Sequence, residues 1–141
     1  MSGMIEIPEG FEETTFSFPI LRETGPYFVK AEGEARIVGV RVRDVHCQAR
    51  GAAHGGVLAT LADVALSYQI HVRLPKGSFV STASLTINYV QPARLNAWIE
   101  ARTYLDRLGK RNAHAHGRIV CDGETLATMS AAFVVVAEKG A

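Results

Sequence analysis

The sequence has few cysteines and no long hydrophobic run. Cys47 and Cys121 lie far apart, and neither belongs to a Cys-x-x-Cys pair of the kind that binds metals or does redox chemistry. The longest apolar stretch, residues 131–137, is too short to cross a bilayer. Residues 1–13 are acidic where a secretion signal would be basic and then apolar. We therefore expect a cytoplasmic protein with two ordinary thiols.

An excess of one charge is also missing. Fifteen Lys and Arg stand against fourteen Asp and Glu, a formal net charge of +1, so no overall field would attract nucleic acid or an anionic membrane. Apolar residues make up 48% and charged residues 21% of the 141, as in ordinary globular proteins. We predict a flexible segment over residues 1–20 and a single domain over residues 21–141, with neither nucleic acid nor membrane as a partner.

The periodicity predicts one long helix. Apolar residues recur at three- and four-residue spacing from Leu58 to Gln69, which indicates a helix over about residues 55–73, before Pro75. Residues 11–21 could begin a short helix.

The remaining patterns are those of strands. Asp122-Gly123 stands between two β-rich runs and favours a type I′ hairpin turn. Residues 27–45 read as a hairpin or one bent strand. We predict an α+β fold in which one helix is wrapped by an antiparallel sheet. Four further strands are expected after the helix, over residues 79–90, 97–105, 113–121 and 124–136.

The predicted sheet is small and leaves its edges and one face uncovered. Chains usually cover such edges by pairing around a two-fold axis. We therefore expect at least a dimer.

Asp63 is unusual within the predicted helix, because aspartate is a poor residue in a helix interior and its neighbours here are Val, Leu and Ala. At about 100° per residue it points about 130° away from the apolar stripe, beside Gly56, Ala59, Ser67 and Ile70. Two interpretations are open. Asp63 is either solvated or satisfied by a facing donor, or it is a carboxylate in a partly apolar cleft that serves as nucleophile or general base.

His54-Gly55-Gly56 marks the start of the same helix, where unpaired backbone N–H groups collect. A carbonyl oxygen bound there would have its developing charge stabilised, typically by about 3 kcal/mol per donor. The alternative is a glycine-rich helix start in which His54 only packs or caps.

The segment from Ala53 to Asp63, AHGGVLATLAD, resembles the H-G-G-x-x-x-x-L-x-D helix of PaaI-type hotdog-fold thioesterases, which are related to the phenylacetate-pathway enzyme. The resemblance extends over about residues 25–136. Its other supports are His46-Cys47, residues 86–89 with Pro92, and the turn at Leu108-Gly109-Lys110.

The resemblance implies a hotdog fold that hydrolyses a small aromatic or short- to medium-chain acyl-CoA. Its site would be shared by two subunits of a homodimer, and two dimers would form a homotetramer. No cofactor or metal is implied, because coenzyme A is part of the substrate.

The resemblance also assigns residues to roles. Asp63 would be the catalytic carboxylate, Gly55 the N–H donor to the thioester oxygen, and Thr82 a hydroxyl that orients the carboxylate or water. Thr82 is predicted to share the polar face of its strand with Ser84, Thr86 and Asn88. Gln48 stands where many relatives have asparagine. Three consequences are open: Gln48 substitutes for that amide as a catalytic residue, selects another substrate pose, or marks weakened activity. The residues expected to bind substrate are His54, Gly56, Ser84, Lys110 and Arg111.

Two further sets of residues are weaker candidates. His114 and His116 share a strand face, as some metal ligands do, but no third ligand is near in sequence. Basic residues near the predicted turns could bind the CoA phosphates or simply be solvated. This basic set is Arg94, Arg107, Lys110, Arg111 and Arg118.

Two rival functions are open from the sequence. A hydratase or dehydratase acting on acyl thioesters would need a histidine and a carboxylate that converge on the substrate. A non-catalytic acyl-CoA sensor is the other rival, and Gln48 lends it some support.

Overall fold

The computed structural model describes residues 6–14, 16 and 18–136. These residues form two helices, seven strands and one 3-10 turn, Asp44–His46. In chain order the elements are β1 (Glu12–Glu13), α1 (Pro19–Thr24), β2 (Phe28–Glu32), β3 (Ala35–Arg41), α2 (Gly55–His71), β4 (Phe79–Tyr89), β5 (Trp98–Leu108), β6 (Asn112–Cys121) and β7 (Glu124–Val136).

All seven strands form one antiparallel sheet in the order β1-β2-β3-β5-β6-β7-β4. Helix α2 packs against one face of this sheet and contacts β3 through β7. The predicted α+β architecture, one long helix wrapped by an antiparallel sheet, is confirmed. Among the described residues no helix is both long and apolar enough to cross a membrane.

Helix α2 runs from Gly55 to His71, two residues shorter than predicted. His54 is its N-cap, and the His54 Nδ1 atom accepts a hydrogen bond from the Gly56 N–H at 2.9 Å. The predicted apolar stripe is buried against the sheet, from Leu58 to Gln69. Gln69 is fully buried, and its amide donates to the Thr103 carbonyl at 2.8 Å, so this polar group is satisfied within the core.

The predicted turns and strands agree closely with the structure. Strands β2 and β3 form a hairpin, which resolves the choice between a hairpin and a bent strand. Asp122 and Gly123 both have positive φ angles, 49° and 82°, as a type I′ turn requires. Strand β5 continues three residues beyond its predicted end, to Leu108.

Strand β4 lies at one end of the sheet and carries a bulge. Its register shifts between Thr82 and Ser84: Thr82 lies opposite Phe133, and Ser84 lies opposite Ala132. Directly opposite residues point to the same face of a sheet. Since Phe133 is fully buried under α2, Thr82 faces the helix and Ser84 faces the outer side. The bulge therefore sends neighbouring polar side chains to opposite faces.

The chain before β2 adds a short strand and a short helix. Strand β1 pairs with β2, and α1 begins at Pro19, within the segment where a short helix was predicted. Parts of the predicted flexible segment therefore lie in β1 and α1, while residues 1–5, 15 and 17 lie outside the described residues. The division into residues 1–20 and 21–141 stays a prediction.

Candidate active site

Asp63 and Thr82 are brought together by α2 and β4. The Thr82 hydroxyl donates a hydrogen bond to Asp63 Oδ1 at 2.7 Å. Asp63 is half-buried, and its second carboxylate oxygen, Oδ2, accepts no hydrogen bond from the described residues. The facing donor expected for an ordinary aspartate is therefore present, but one carboxylate oxygen is left to act on another molecule.

A pocket of about 830 Å³ opens beside this pair. That volume lies within the range of small-molecule sites, which are mostly apolar with a few polar groups. The helix contributes Asp63, Thr60 and Ser67 among apolar neighbours. The apolar and aromatic lining residues are Phe16, Phe18, Ile20, Leu21, Ala59, Val64, Tyr68, Phe79 and Val80. One predicted neighbour of Asp63, Ile70, is fully buried and does not line the pocket.

One wall of the pocket is formed by Phe16 and by α1, and this wall is anchored at Thr24. The Thr24 hydroxyl donates to the Ile20 carbonyl at 2.8 Å and lies 2.7 Å from the Tyr27 hydroxyl. Phe16 contacts the Tyr68 ring edge to face, with centroids 5.9 Å apart. This wall was not predicted from the sequence, because its residues belong to no periodic pattern that points to α2.

His46 connects α1 to the start of α2. Its Nδ1 atom accepts from the Arg43 N–H at 2.9 Å, so Nε2 carries the proton and donates to the Thr24 carbonyl at 2.6 Å. The His46 carbonyl accepts from the His54 N–H at 2.8 Å. Burial lowers the pKa of His46; the Thr24 carbonyl opposes this shift and the Arg43 charge adds to it. His46, with its ring neutral, therefore links α1 to the start of α2.

The start of α2 leaves one backbone donor free. The Gly56 N–H bonds to the His54 ring, and the Val57 N–H bonds to the His54 carbonyl at 2.9 Å. The Gly55 N–H has no hydrogen-bond partner among the described residues. On the other side of the same residue, the Gly55 carbonyl accepts from the Tyr89 hydroxyl at 2.7 Å.

Gly55 and Asp63 do not converge within one chain. They are eight residues apart on α2, which is about 12 Å along a helix that rises 1.5 Å per residue. A donor must lie about 3 Å from the oxygen it stabilises, and the attacking atom about 3–3.5 Å from the carbonyl carbon. One thioester cannot contact both groups of the same copy.

The predicted shared face of β4 is wrong. The register places Ser84, Thr86 and Asn88 on the outer face of the sheet, opposite Ala132, Ser130 and Thr128, whereas Thr82 faces α2. The bulge at this point of β4 is the physical reason. Ser84 therefore lies on the far side of the sheet from Asp63, and the expectation that it binds substrate beside Thr82 does not fit its position.

Gln48 is not brought to Asp63 by any described contact. It lies in a tight exposed turn, where its N–H bonds to the Ala52 carbonyl at 2.9 Å and its carbonyl accepts from the Gly51 N–H at 3.2 Å. Its side chain makes no hydrogen bond to any described residue. A catalytic role for Gln48 stays a prediction.

The basic residues near the predicted turns lie in separate parts of the fold. Lys110 and Arg111 are exposed at the turn between β5 and β6. Arg94 lies beside Ala52, near the start of α2, and Arg118 lies in mid-strand opposite Arg102. Binding of the CoA phosphates by any of them stays a prediction.

The other candidate nucleophiles and ligands lie away from the pocket. His116 is exposed and its Nδ1 atom lies 2.7 Å from Asp106 Oδ1. Burial raises the pKa of the Cys121 thiol, and the neighbouring Asp122 carboxylate adds to that rise. A protonated thiol is a poor nucleophile, so Asp63 is the stronger candidate.

Comparison with known proteins decides the family. The sequence profile described as "Thioesterase superfamily" matches residues 50–128. A proposed esterase of Pseudomonas aeruginosa is 34% identical over 131 residues, which are 92% of this chain and 98% of the relative. The chain belongs to the thioesterase superfamily.

Two solved structures agree with the chain in fold and sequence. A variant of the phenylacetic acid degradation protein PaaI from Thermus thermophilus is 27% identical, with a TM-score of 0.72 over 83% of this chain and 98% of that one. A Bacillus halodurans protein solved with CoA is 25% identical, with a TM-score of 0.71 over 79% of this chain and 74% of that one. The predicted PaaI-type hotdog fold is confirmed, and the chain is a thioester hydrolase. This identification favours hydrolysis over the hydratase and the sensor.

Proposed function

We propose that this thioesterase hydrolyses acyl-CoA molecules that carry an apolar acyl group, either small and aromatic or short to medium in chain length. The observation that carries the proposal is the Asp63 carboxylate, which is hydrogen-bonded by Thr82 and lies in the wall of a largely apolar pocket. The CoA-bound relative supports a CoA ester as substrate. The reaction needs no cofactor, because CoA enters as part of the substrate.

Asp63 can act by either of two routes. In the first, Asp63 Oδ2 attacks the thioester carbon, CoA leaves as thiolate, and water then hydrolyses the resulting acyl–aspartyl anhydride. In the second, Asp63 takes a proton from a water molecule whose oxygen attacks the same carbon, and the tetrahedral intermediate expels CoA thiolate. In both routes the Thr82 hydroxyl fixes the orientation of the carboxylate through Oδ1.

The acyl group would occupy the apolar part of the pocket. Burial of apolar surface contributes about 25 cal/mol per Å², so a six-carbon chain or a phenyl ring would gain substantially from contact with Phe16, Phe18 and Ile20. An anionic acyl group would lose its hydration there beside the Asp63 carboxylate, and the one basic side chain among the described lining residues is the exposed His71. This contrast supports apolar substrates.

A second copy of the chain would complete the site. The Gly55 N–H of one copy is free but about 12 Å along the helix from its own Asp63. Strand β4 ends the sheet, and among its exposed residues are Phe79 and Tyr89. We infer a homodimer in which two β4 strands pair antiparallel across a two-fold axis.

The register of that pairing follows from the need to bring the two groups together. A two-fold axis at Thr86 would set Ser84 of one copy opposite Asn88 of the other and, past the bulged Ala83, Thr82 opposite Tyr89. Tyr89 contacts Gly55, so this register would bring a second copy's Gly55 to the Asp63–Thr82 pair. Two such dimers would form the proposed tetramer.

The deciding experiment measures release of free thiol from phenylacetyl-, benzoyl-, hexanoyl- and palmitoyl-CoA. We expect the wild type to hydrolyse at least one of them, and Asp63→Asn to lose a hundredfold or more of kcat, which is about 3 kcal/mol. Asp106→Asn is the matched control, since Asp106 is exposed and bonded only to His116. A wild type that releases no thiol, or an active Asp63→Asn variant, would contradict the proposal.

A further inference from the structure

Tyr89 makes two contacts with the start of α2. Its hydroxyl donates to the Gly55 carbonyl at 2.7 Å. Its ring also lies against the glycine, because a Cβ built on Gly55 would be 3.3 Å from the ring carbon that bears the hydroxyl. Tyr89 is half-exposed, so burial of its ring in the core does not account for its position.

We propose that Tyr89 is a positioning residue that holds the Gly55 N–H in the orientation needed to bind the thioester oxygen. This inference rests on the proposed function, which gives Gly55 its role as donor. Tyr89 does not itself touch the substrate in this proposal. It acts through the residue that does.

The start of a helix needs such support when it begins with two glycines. Glycine loses more conformational freedom on folding than other residues, and helix ends fray. The Gly55 N–H is not held by the His54 cap, which bonds to the next residue, Gly56. The peptide plane that carries the Gly55 N–H is held at its His54 end, because the His54 carbonyl accepts from the Val57 N–H at 2.9 Å, and at its other end it depends on the position of the Gly55 α-carbon. A donor loses most of its effect when it is displaced by more than about 0.5 Å or 10–20°.

Tyr89 supplies that contact from a rigid element. It is the last residue of β4 and pairs with Ala127 of β7, so its backbone is held by the sheet. The hydrogen bond fixes the Gly55 carbonyl, which belongs to the following peptide plane, and the ring restricts movement of the Gly55 α-carbon toward the strand. Together the two contacts fix the α-carbon that ends the peptide plane of the Gly55 N–H. One strand therefore positions both groups of the proposed site: Thr82 of β4 holds Asp63, and Tyr89 of β4 holds Gly55.

The first test uses Tyr89→Phe, which removes one oxygen atom and keeps the ring. We expect kcat with hexanoyl-CoA or the best substrate to fall about tenfold and KM to change less than twofold, because the donor acts mainly in the transition state. Tyr104→Phe is the matched control, since Tyr104 is exposed and stacks on His116 away from the pocket. A thermal midpoint close to wild type would show that both variants are folded.

A binding test separates positioning from a merely structural role. The probes are 3,3-difluoro-2-oxoheptyl-CoA, whose activated ketone adds water or a carboxylate to form a tetrahedral oxyanion that resembles the transition state, and heptyl-CoA, which lacks that carbonyl. We expect Tyr89→Phe to weaken binding of the ketone about five- to tenfold and to leave heptyl-CoA unchanged. Equal losses for both probes would show that the tyrosine only supports the fold.

Failure of this inference can be told from failure of the proposed function. If Asp63→Asn is inactive while Tyr89→Phe keeps wild-type kcat, the function stands and the role of Tyr89 is overturned. If the wild type hydrolyses no acyl-CoA, the proposed function itself is overturned, and the role of Tyr89 with it.

Discussion

Thr82 donates its hydroxyl hydrogen to Asp63 across 2.7 Å, from a strand whose next polar residue, Ser84, faces the other side of the sheet. The bulge between these two residues is what turns Thr82 toward the helix. A single irregular residue pair in β4 therefore decides which hydroxyl can act on the carboxylate. The two hydroxyls can be distinguished by mutation.

Thr82→Val should lower kcat about ten- to hundredfold, because it removes the only hydrogen bond that orients Asp63 among the described residues while keeping the shape of the side chain. Thr82→Ser should keep most of the activity, since it retains the hydroxyl. Ser84→Ala should behave as wild type. The measurement is thiol release at saturating acyl-CoA, and an inactive Ser84→Ala with an active Thr82→Val would reverse our assignment.

Gly55→Pro should lower kcat about a hundredfold, because proline removes the N–H donor. The backbone is suited to this change. Gly55 is the first residue of α2, where proline is well tolerated, and His54 has ψ 141°, the extended conformation that precedes proline. Gly55→Ala keeps the N–H and serves as the control. Circular dichroism would check that α2 is retained, and a fully active Gly55→Pro would exclude the donor role.

Mixtures of two inactive variants should recover activity if the site is shared. In a dimer of one Asp63→Asn chain and one Gly55→Pro chain, one site has both groups intact and the other has neither. Random mixing makes about half of the dimers mixed, so about a quarter of wild-type activity should return. The measurement is activity after unfolding and refolding the two variants together. Recovery no greater than the sum of the separate variants would contradict a shared site.

Phe18→Ala should narrow the range of acyl groups that the enzyme accepts. Phe18 lines the pocket and is 68% exposed, so its loss should cost little stability. We expect kcat/KM for hexanoyl-CoA to fall about three- to tenfold, which is about 1 kcal/mol of lost apolar contact, and acetyl-CoA to be unaffected. Val45→Ala is the control, because Val45 is similarly exposed, at 66%, but lies outside the pocket. Equal losses on both substrates would show that Phe18 does not contact the acyl chain.

Protonation of His46 should lower the free energy of unfolding in mild acid. Burial lowers the pKa of His46 below its ordinary value of 6.5 in the folded chain, so the unfolded chain binds the proton first as the pH falls. The contribution of the neutral ring is therefore complete above about pH 6.5 and is lost progressively below it. The free energy of unfolding of His46→Asn should be about 1–3 kcal/mol lower than that of wild type at pH 8. It should also change less than that of wild type between pH 7.5 and 5.5.

The control for this prediction is His116→Asn, since His116 is exposed and should leave the acid-dependent loss of stability as in the wild type. The measurement is the free energy of unfolding by denaturant at several pH values. An acid response in His46→Asn equal to that of the wild type would remove His46 as its source.

The sequence was sufficient to predict the helix, the hairpins and the carboxylate. Those features depend on local rules: an apolar stripe from Leu58 to Gln69, a turn at Asp122-Gly123, and an aspartate on the side of the helix away from the core. The family resemblance also predicted a hydroxyl at Thr82 that orients the carboxylate or water. The structure has this hydroxyl in contact with Asp63, and its catalytic role stays a prediction.

Other features could not be read from the sequence, because they depend on contacts between distant segments. A bulge in β4 is not signalled by its residues, so Ser84 was assigned to the wrong face. Tyr89 acquires its partner only when the end of β4 meets the start of α2. The pocket wall around Phe16 and Phe18 likewise forms only when the chain before β2 folds against the helix.

The bulge in β4 also makes the site tolerant of a change in strand length. Deletion of Ala83 would leave a regular ladder with β7 in which Leu85, Ser84 and Thr82 still lie opposite Ala131, Ala132 and Phe133, so Thr82 would still face α2. A regular ladder that kept Ala83 would instead turn Thr82 to the outer face. A loss of three nucleotides could therefore leave the hydroxyl in place, whereas a slip of residues 79–83 by one position would convert the enzyme into a folded, inactive hotdog protein.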